Sequence, residues 1–234
     1  EKGIRSERAL KLAIAEMYVK GVSTRRVSDI VEILCGTEVS SSQVSRLGKE
    51  LDKEVSAWRA LPLGQIQYLV LDATYESVRE DASVVKQALL VAIGVDYNGK
   101  RHILDTAVAG SEAEINWRNF LEGLIRRGMH GLQMITSDDH VGLRAAINAV
   151  FPGILWQGCQ FHLQQNARAY VSRKDDIPVV TNDIRKVFNA PDRENAERYL
   201  KQLVDKYQKT NPRLAAWADE NIREGLSVFS IPQN

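Results

Sequence analysis

Two cysteines in 234 residues, Cys35 and Cys159, are too few for a disulfide framework. A reducing, intracellular setting is therefore the default expectation. No stretch approaches the roughly 20 consecutive apolar residues of a membrane span. The segment Glu1 to Lys11 is charged and lacks the apolar block of a signal peptide. Because it starts with Glu and not Met, the chain is expected to be a fragment. There is no excess of one charge: 31 Lys and Arg face 30 Asp and Glu. A near-neutral total does not advertise a polyanion binder, although local patches still can bind one. Internal repeats and low-complexity tracts are absent as well. What remains is ordinary for a folded domain, with 44% hydrophobic and 26% charged residues. Such a composition excludes disordered and collagen-like chains, and the length allows one large domain or two small ones.

Residues 1–60 carry helical periodicity. Leu10, Ala13, Ile14 and Met17 share one face, and Gly21 ends that run. Val27, Ile30, Val31 and Leu34 form a second stripe behind an N-cap at Ser23. After a break at Cys35-Gly36-Thr37, Ser40 with Gln43 fits a capping box. The third helix then places Val44, Leu47, Leu51 and Val55 on one side. Three short helices in this order fit a helix-turn-helix unit. Its outward face holds Ser41, Ser42, Ser45, Arg46 and Lys49, residue types that contact base edges and phosphates when a helix enters a major groove. A solvated face on a small bundle explains the same residues about as well. The local charge helps little, since 11 Lys and Arg meet 9 Asp and Glu in residues 1–60.

Beyond the linker Leu61-Pro62-Leu63-Gly64 the period changes. Tyr68 to Leu71 is a continuous apolar run ending in Asp72, as expected of a buried central strand. Val84 to Val95 and Arg101 to Ala109 flank Asn98-Gly99, a hairpin signal that pairs them antiparallel. Ser111 with Glu114 fits a second capping box. Leu132 to Thr136 is a fourth strand, a helix runs from about His140 to Val150, and Ile154 to Gln157 is a fifth strand. From Cys159 to about Ser227 the pattern is helical, broken at Pro178, Pro191 and Pro212. The order β-β-β-α-β-α-β-α predicts an α/β fold, a ribonuclease-H-like mixed sheet with flanking helices. An all-α helix-turn-helix domain precedes it and a helical insertion follows. The expected domains are 1–60, a core at 61–172 and an all-helical insertion at 173–234.

Asp72 and Asp138 follow the first and fourth strands, and ligand sites of open α/β sheets gather outside the carboxyl ends of strands. Two converging carboxylates repel each other unless a proton or a cation lies between them. Oxygen ligands of this kind suit Mg²⁺ or Mn²⁺, the ions of phosphodiester cleavage and strand transfer. The competing account makes Asp72 a strand end and Asp138 or Asp139 a helix cap. Cys159-x-x-His162 tempts a zinc reading, but it supplies two ligands where structural zinc needs about four. Trp117, Phe120 and Trp156 fall in core-facing patterns.

The motifs together resemble the bacterial Mutator-type transposases. They are Leu71-Asp-Ala-Thr-Tyr75, Val91-Ala-Ile-Gly-Val95, Ser137-Asp-Asp-His-Val-Gly-Leu143, Phe151-Pro-Gly153 and Trp156-Gln-Gly-Cys-Gln-Phe-His162, in that order along the chain. Gly21-Val-Ser-Thr-Arg25 and Val39-Ser40 resemble that family's helix-turn-helix. The resemblance implies a DDE transposase that nicks and joins DNA at the terminal inverted repeats of an insertion sequence and acts on target DNA. It implies Mg²⁺ or Mn²⁺ as cofactor, a homodimer, and a cytoplasmic, nucleoid-associated setting without a membrane. Asp72 becomes the first catalytic and metal-binding acid and Asp138 the second. Cys159, His162 and His140 become supports of the active site, and Arg25, Arg26, Ser41, Ser42, Ser45, Arg46 and Lys49 become DNA contacts. Asp139 stands where the family more often has a small residue, and Ala73 where it often has Gly. The third acid is a Glu downstream of the insertion. Glu220 and Glu224 do not match its context and read as surface helix charges. Two other functions are compatible with the residues: a ribonuclease-H-like nuclease that joins no ends, and a truncated, non-catalytic DNA-binding regulator.

Overall fold

The computed structural model describes residues 2–36, 38–80 and 83–231. It divides into two compact units, Glu1–Leu61 and Pro62–Asn234.

The first unit is three helices, α1 (Lys2–Val19), α2 (Thr24–Cys35) and α3 (Ser41–Arg59). Ser23 caps α2 by accepting from the Arg26 backbone, and the Ser40–Gln43 capping box closes in both directions. Gly21 and Gly36 take left-handed backbone angles, φ +80° and +62°, that end the first two helices cheaply. A small core of Ile14, Val27, Val31 and Val44 holds the helices, with Leu10, Met17 and Leu47 packed against it. Ala13, Ile30, Leu34, Leu51 and Val55 of the expected stripes stay outside it. Leu34 is 76% exposed and Val55 43% exposed, because each lies a turn or more beyond the crossing points that bury Val31 and Val44. Ala13 is also exposed, so the face of α1 is narrower than its periodicity. Thr37, part of the expected break, lies outside the described residues.

The second unit is built on a five-stranded sheet in the order β3-β2-β1-β4-β5. The strands are β1 (Ile66–Glu80), β2 (Ser83–Asp96), β3 (Arg101–Ala109), β4 (Met134–Ser137) and β5 (Leu155–Gly158). β1 to β3 pair antiparallel, while β4 and β5 run parallel to β1. The hairpin signal at Asn98-Gly99 is realised as a loop in which Gly99 is left-handed (φ +76°) and Asp96 accepts from the backbone of Asn98 and Lys100. The helices α4 (Glu114–Arg126) and α5 (Val141–Val150) bury Trp117, Leu121, Leu124, Leu143 and Ile147 with Leu69, Leu71 and Ile135 of the sheet.

Two expectations are corrected here. β1 does not end at Asp72 but continues to Glu80. Its parallel neighbour stops at Ser137, and β1 runs on beside β2 with residues 74–78 exposed; beyond Tyr75, where β3 has also ended, the two strands form a two-stranded ribbon. The Ser111–Glu114 capping box does not form either. Ala113 is the N-cap of α4 without a side-chain cap bond, and Ser111 Oγ accepts from the Ala113 backbone.

The chain then continues through α6 (Gln160–Ala167), α7 (Ile177–Phe188), α8 (Arg193–Tyr207) and α9 (Pro212–Asn221) to a 3-10 segment, Ile222–Ser230. Pro178 and Pro212 sit in the first turns of α7 and α9, where a missing N–H costs nothing. Ile184, Val187, Leu200, Leu214, Ile222 and Leu226 form a second core that also takes in Leu163 and Ala167 of α6. Gln157 of β5 accepts from the Val228 backbone at 2.6 Å and Gln160 donates to Gly225 O at 2.9 Å, which fastens the 3-10 segment beside the sheet.

Candidate active site

The parallel ladder pairs Tyr68 with Met134 and Val70 with Thr136. Asp72 lies two residues beyond Val70 on β1, and Asp138 lies two residues beyond Thr136, just past the end of β4. Both act electrostatically on Glu112, which puts each of them in its neighbourhood. Asp72 is exposed, and its Oδ1 accepts from the Ala73 N–H at 2.9 Å. Asp138 Oδ1 is buried and has no hydrogen-bond partner. A buried carboxylate oxygen without a partner is costly unless a water, an ion or a ligand satisfies it.

Asp139 is engaged on its own account. Its Oδ1 lies 3.4 Å from Arg144 Nε, and the guanidinium stacks 3.4 Å from the centroid of Trp156. Trp156 Nε1 donates to Ser137 Oγ at 3.0 Å, and Ser137 Oγ donates to Asp138 O at 2.7 Å. The stack and these two bonds fix the backbone on which Asp138 sits.

A third carboxylate, absent from the sequence expectations, faces the pair. Glu112 is buried, and His140 Nδ1 lies 3.9 Å from its Oε2. Burial pushes the Glu112 carboxyl above the usual carboxylate range. The charges of Asp138 and Asp72 push the same way, against the opposing pull of His140 and a hydrogen bond from Tyr75. Glu112 sits in an irregular segment with no periodicity to mark it. The available signal was Gly142. A Cβ there would stand 2.2 Å from Glu112 O, so glycine lets the Glu112 segment lie directly on the start of α5.

His140 is the N-cap of α5 without a side-chain cap bond. Cys159 is the N-cap of α6, and its N–H donates to Ser137 O at 2.6 Å. His162 stacks edge-on against Phe161, and its buried Nδ1 has no partner. Glu224 is not a surface helix charge: it is half-buried, with its Cβ 3.2 Å from where a Cβ of Gly158 would stand. Burial raises its pKa, and Asp139 adds to this while Arg144 opposes it. Glu220 is exposed. An open cleft of about 360 Å³ runs past Asp138, Asp139, His140, His162, Asn166 and Glu224. Among the described residues, no group of three or more His, Cys, Asp or Glu is placed to hold a metal ion.

In the three-helix unit Arg25, Arg26, Ser41, Ser42, Ser45, Arg46 and Lys49 are all exposed. Ser42 Oγ lies 2.9 Å from the capping Ser40 Oγ, so it takes part in the cap as well as the surface.

The family model described as "Transposase, Mutator family" matches residues 1–234. The chain belongs to the Mutator family of transposases. It is 52% identical over 234 residues to the transposase for insertion sequence element IS406 of Burkholderia multivorans, covering 99% of this chain and 60% of that protein. It is 41% identical over 236 residues to the transposase for insertion sequence element ISRM5 of Rhizobium meliloti, covering 100% of this chain and 58% of that protein. This Mutator-family chain thus spans about three fifths of the length of the curated relatives it matches. Among solved structures it is similar to a Drosophila P element transposase strand transfer complex at 13% identity and a TM-score of 0.40, covering 96% of this chain and 60% of that one. No helix among the described residues is long and apolar enough to cross a membrane.

Proposed function

We propose that this chain carries the acid-bearing core of an insertion-sequence transposase, which nicks DNA at the element's terminal inverted repeats and joins the freed 3′ end to target DNA. The observation that carries the reading is that Asp72 and Asp138 each follow the end of the parallel β1–β4 ladder by two residues, within a member of this family. The strand order 3-2-1-4-5, with three antiparallel and two parallel strands, supports a ribonuclease-H-like core.

The residues fit a divalent ion. Asp138 Oδ1 is a buried acceptor without a donor, and Asp72 offers a second carboxylate in register. Mg²⁺ and Mn²⁺ bind through one or two carboxylates together with water and phosphate oxygens, so two Asp side chains suffice on the protein side. When bound, the ion supplies charge stabilisation at the scissile phosphate and activation of the attacking oxygen. Asp72 and Asp138 hold it, while Asp139 is kept away by Arg144. Glu112, with its raised pKa, backs the pair and ties Tyr75 of β1 to His140 of α5. Cys159 and His162 support the site from α6, the first through its bond to the Ser137 carbonyl.

The three-helix unit acts as a helix-turn-helix in this reading. α3 enters a major groove, with Ser41, Ser42, Ser45, Arg46 and Lys49 toward the DNA and Arg25 and Arg26 on the adjoining helix. Two copies act together, one on each terminal repeat. The third acid has no assignment among the described residues.

The test uses the transposase at the length of its relatives, a terminal-repeat duplex and Mg²⁺. Asp72→Asn and Asp138→Asn should each abolish nicking while repeat binding stays within about twofold of wild type, as for a lost metal-ligand carboxylate. Full nicking by either variant contradicts the assignment. Nicking without any joined product would favour a nuclease of the same fold.

A further inference from the structure

We propose that the cleft beside Asp138 receives a single nucleobase swung out of the DNA duplex next to the cleavage point. The inference rests on the transposase reading above and names the part of the DNA that this side of the site takes.

Size comes first. The cleft holds about 360 Å³, the low end of the range for small-ligand pockets, roughly 300–1,000 Å³. That is room for one base and not for a duplex. Charge decides which part of a nucleotide enters. Asp138, Asp139 and Glu224 line the cleft, and no Lys or Arg is among its lining residues. Away from the ion proposed on Asp138, Asp139 and Glu224 oppose a phosphate but not a neutral base.

The remaining wall is chemically suited to a base. His162 Nδ1 is buried with no hydrogen-bond partner, a cost that a ligand group would relieve. Asn166 of α6 is exposed and offers an amide with both donors and an acceptor. The Asn221 amide nitrogen donates to Trp217 O at 2.8 Å, which leaves its side-chain oxygen as an acceptor. Trp217 lines the cleft as a largely buried residue, held by stacking on Tyr170 with centroids 5.4 Å apart. Amide and imidazole groups beside an apolar aromatic are the combination that reads an extruded base by its edge. The cleft shares Asp138 with the proposed metal site, so an extruded base would anchor the strand beside the phosphate to be cut.

The experiment places single 2-aminopurines at successive positions across the junction between element end and flanking DNA. Duplex binding is followed by anisotropy and base extrusion by 2-aminopurine fluorescence. Extrusion predicts a rise of about threefold or more at one or two positions on binding. Asn166→Ala should at least halve that rise, and Asn166→Trp, which fills the cleft, should abolish it. Circular dichroism confirms that both variants fold, and both should bind the duplex as wild type does. Bound duplex with no rise at any position overturns the inference and leaves the transposase reading standing. So does a rise that both variants retain. A folded chain that binds no terminal-repeat duplex overturns the transposase reading and this inference with it.

Discussion

Gly142 shows how one missing side chain positions the site. The backbone of Glu112 lies so close that any Cβ at residue 142 would meet its carbonyl oxygen at 2.2 Å. Glu112 is a buried carboxylate near enough to feel the charges of both Asp72 and Asp138. Gly142→Ala should therefore destabilise the second unit by about 1–3 kcal/mol through forced backbone movement, measured by urea denaturation. An unchanged midpoint would show that the Glu112 segment yields freely. Asp72 and Asp138 stand out as candidates in the sequence because each follows an apolar run. Glu112 does not. It stands in a segment without periodicity, and its partners Tyr75 and His140 lie 37 and 28 positions away in the chain. Glu224 was read as a surface charge for a related reason. Its environment depends on Gly158 and Arg144, residues far from it in sequence.

Elements were legible where the signal was local. The Ser40–Gln43 box needs four consecutive residues, and it closes as expected. The far half of β1 was missed because burial, which writes alternation into sequence, stops where β4 stops. The box at Ser111 failed because the backbone pinned at Glu112 moves the helix start to Ala113. On α3, Arg46→Ala and Lys49→Ala should each lower terminal-repeat affinity and reduce its salt slope by about one. Unchanged slope and affinity in both would return that helix to an ordinary solvated face. In the helical block, Asp183 joins α7 to α8 by accepting from Lys206 at 2.5 Å and Tyr207 at 2.8 Å. Burial raises its pKa, but these two bonds outweigh it and hold the carboxyl below its ordinary value of 3.8. Its contribution is thus present above pH 3.8 and is lost as pH falls through the lower, folded value. Asp183→Asn should cost about 1–3 kcal/mol at neutral pH, with the two melting curves converging in acid. A gap that persists in acid would locate the effect in packing.

At the scale of the molecule, the chain combines a small three-helix unit and a larger sheet unit whose two cores lie on separate elements. β1 is central and β4 is its short parallel neighbour, and the two Asp residues, 66 positions apart in the chain, each lie two residues past the last pair of that ladder. Everything else in the site holds the end of that ladder in shape: Arg144 on Trp156, Ser137 on the Asp138 backbone, and Cys159 on Ser137. We propose that Asp72 and Asp138 together hold a divalent ion and that Asp139 does not. A Mn²⁺ titration of the chain followed by electron paramagnetic resonance measures this uptake. Wild type and Asp139→Asn should take up the ion, while Asp72→Asn and Asp138→Asn should lose that uptake. Undiminished uptake by either of the last two variants, or its loss in Asp139→Asn, would contradict the account.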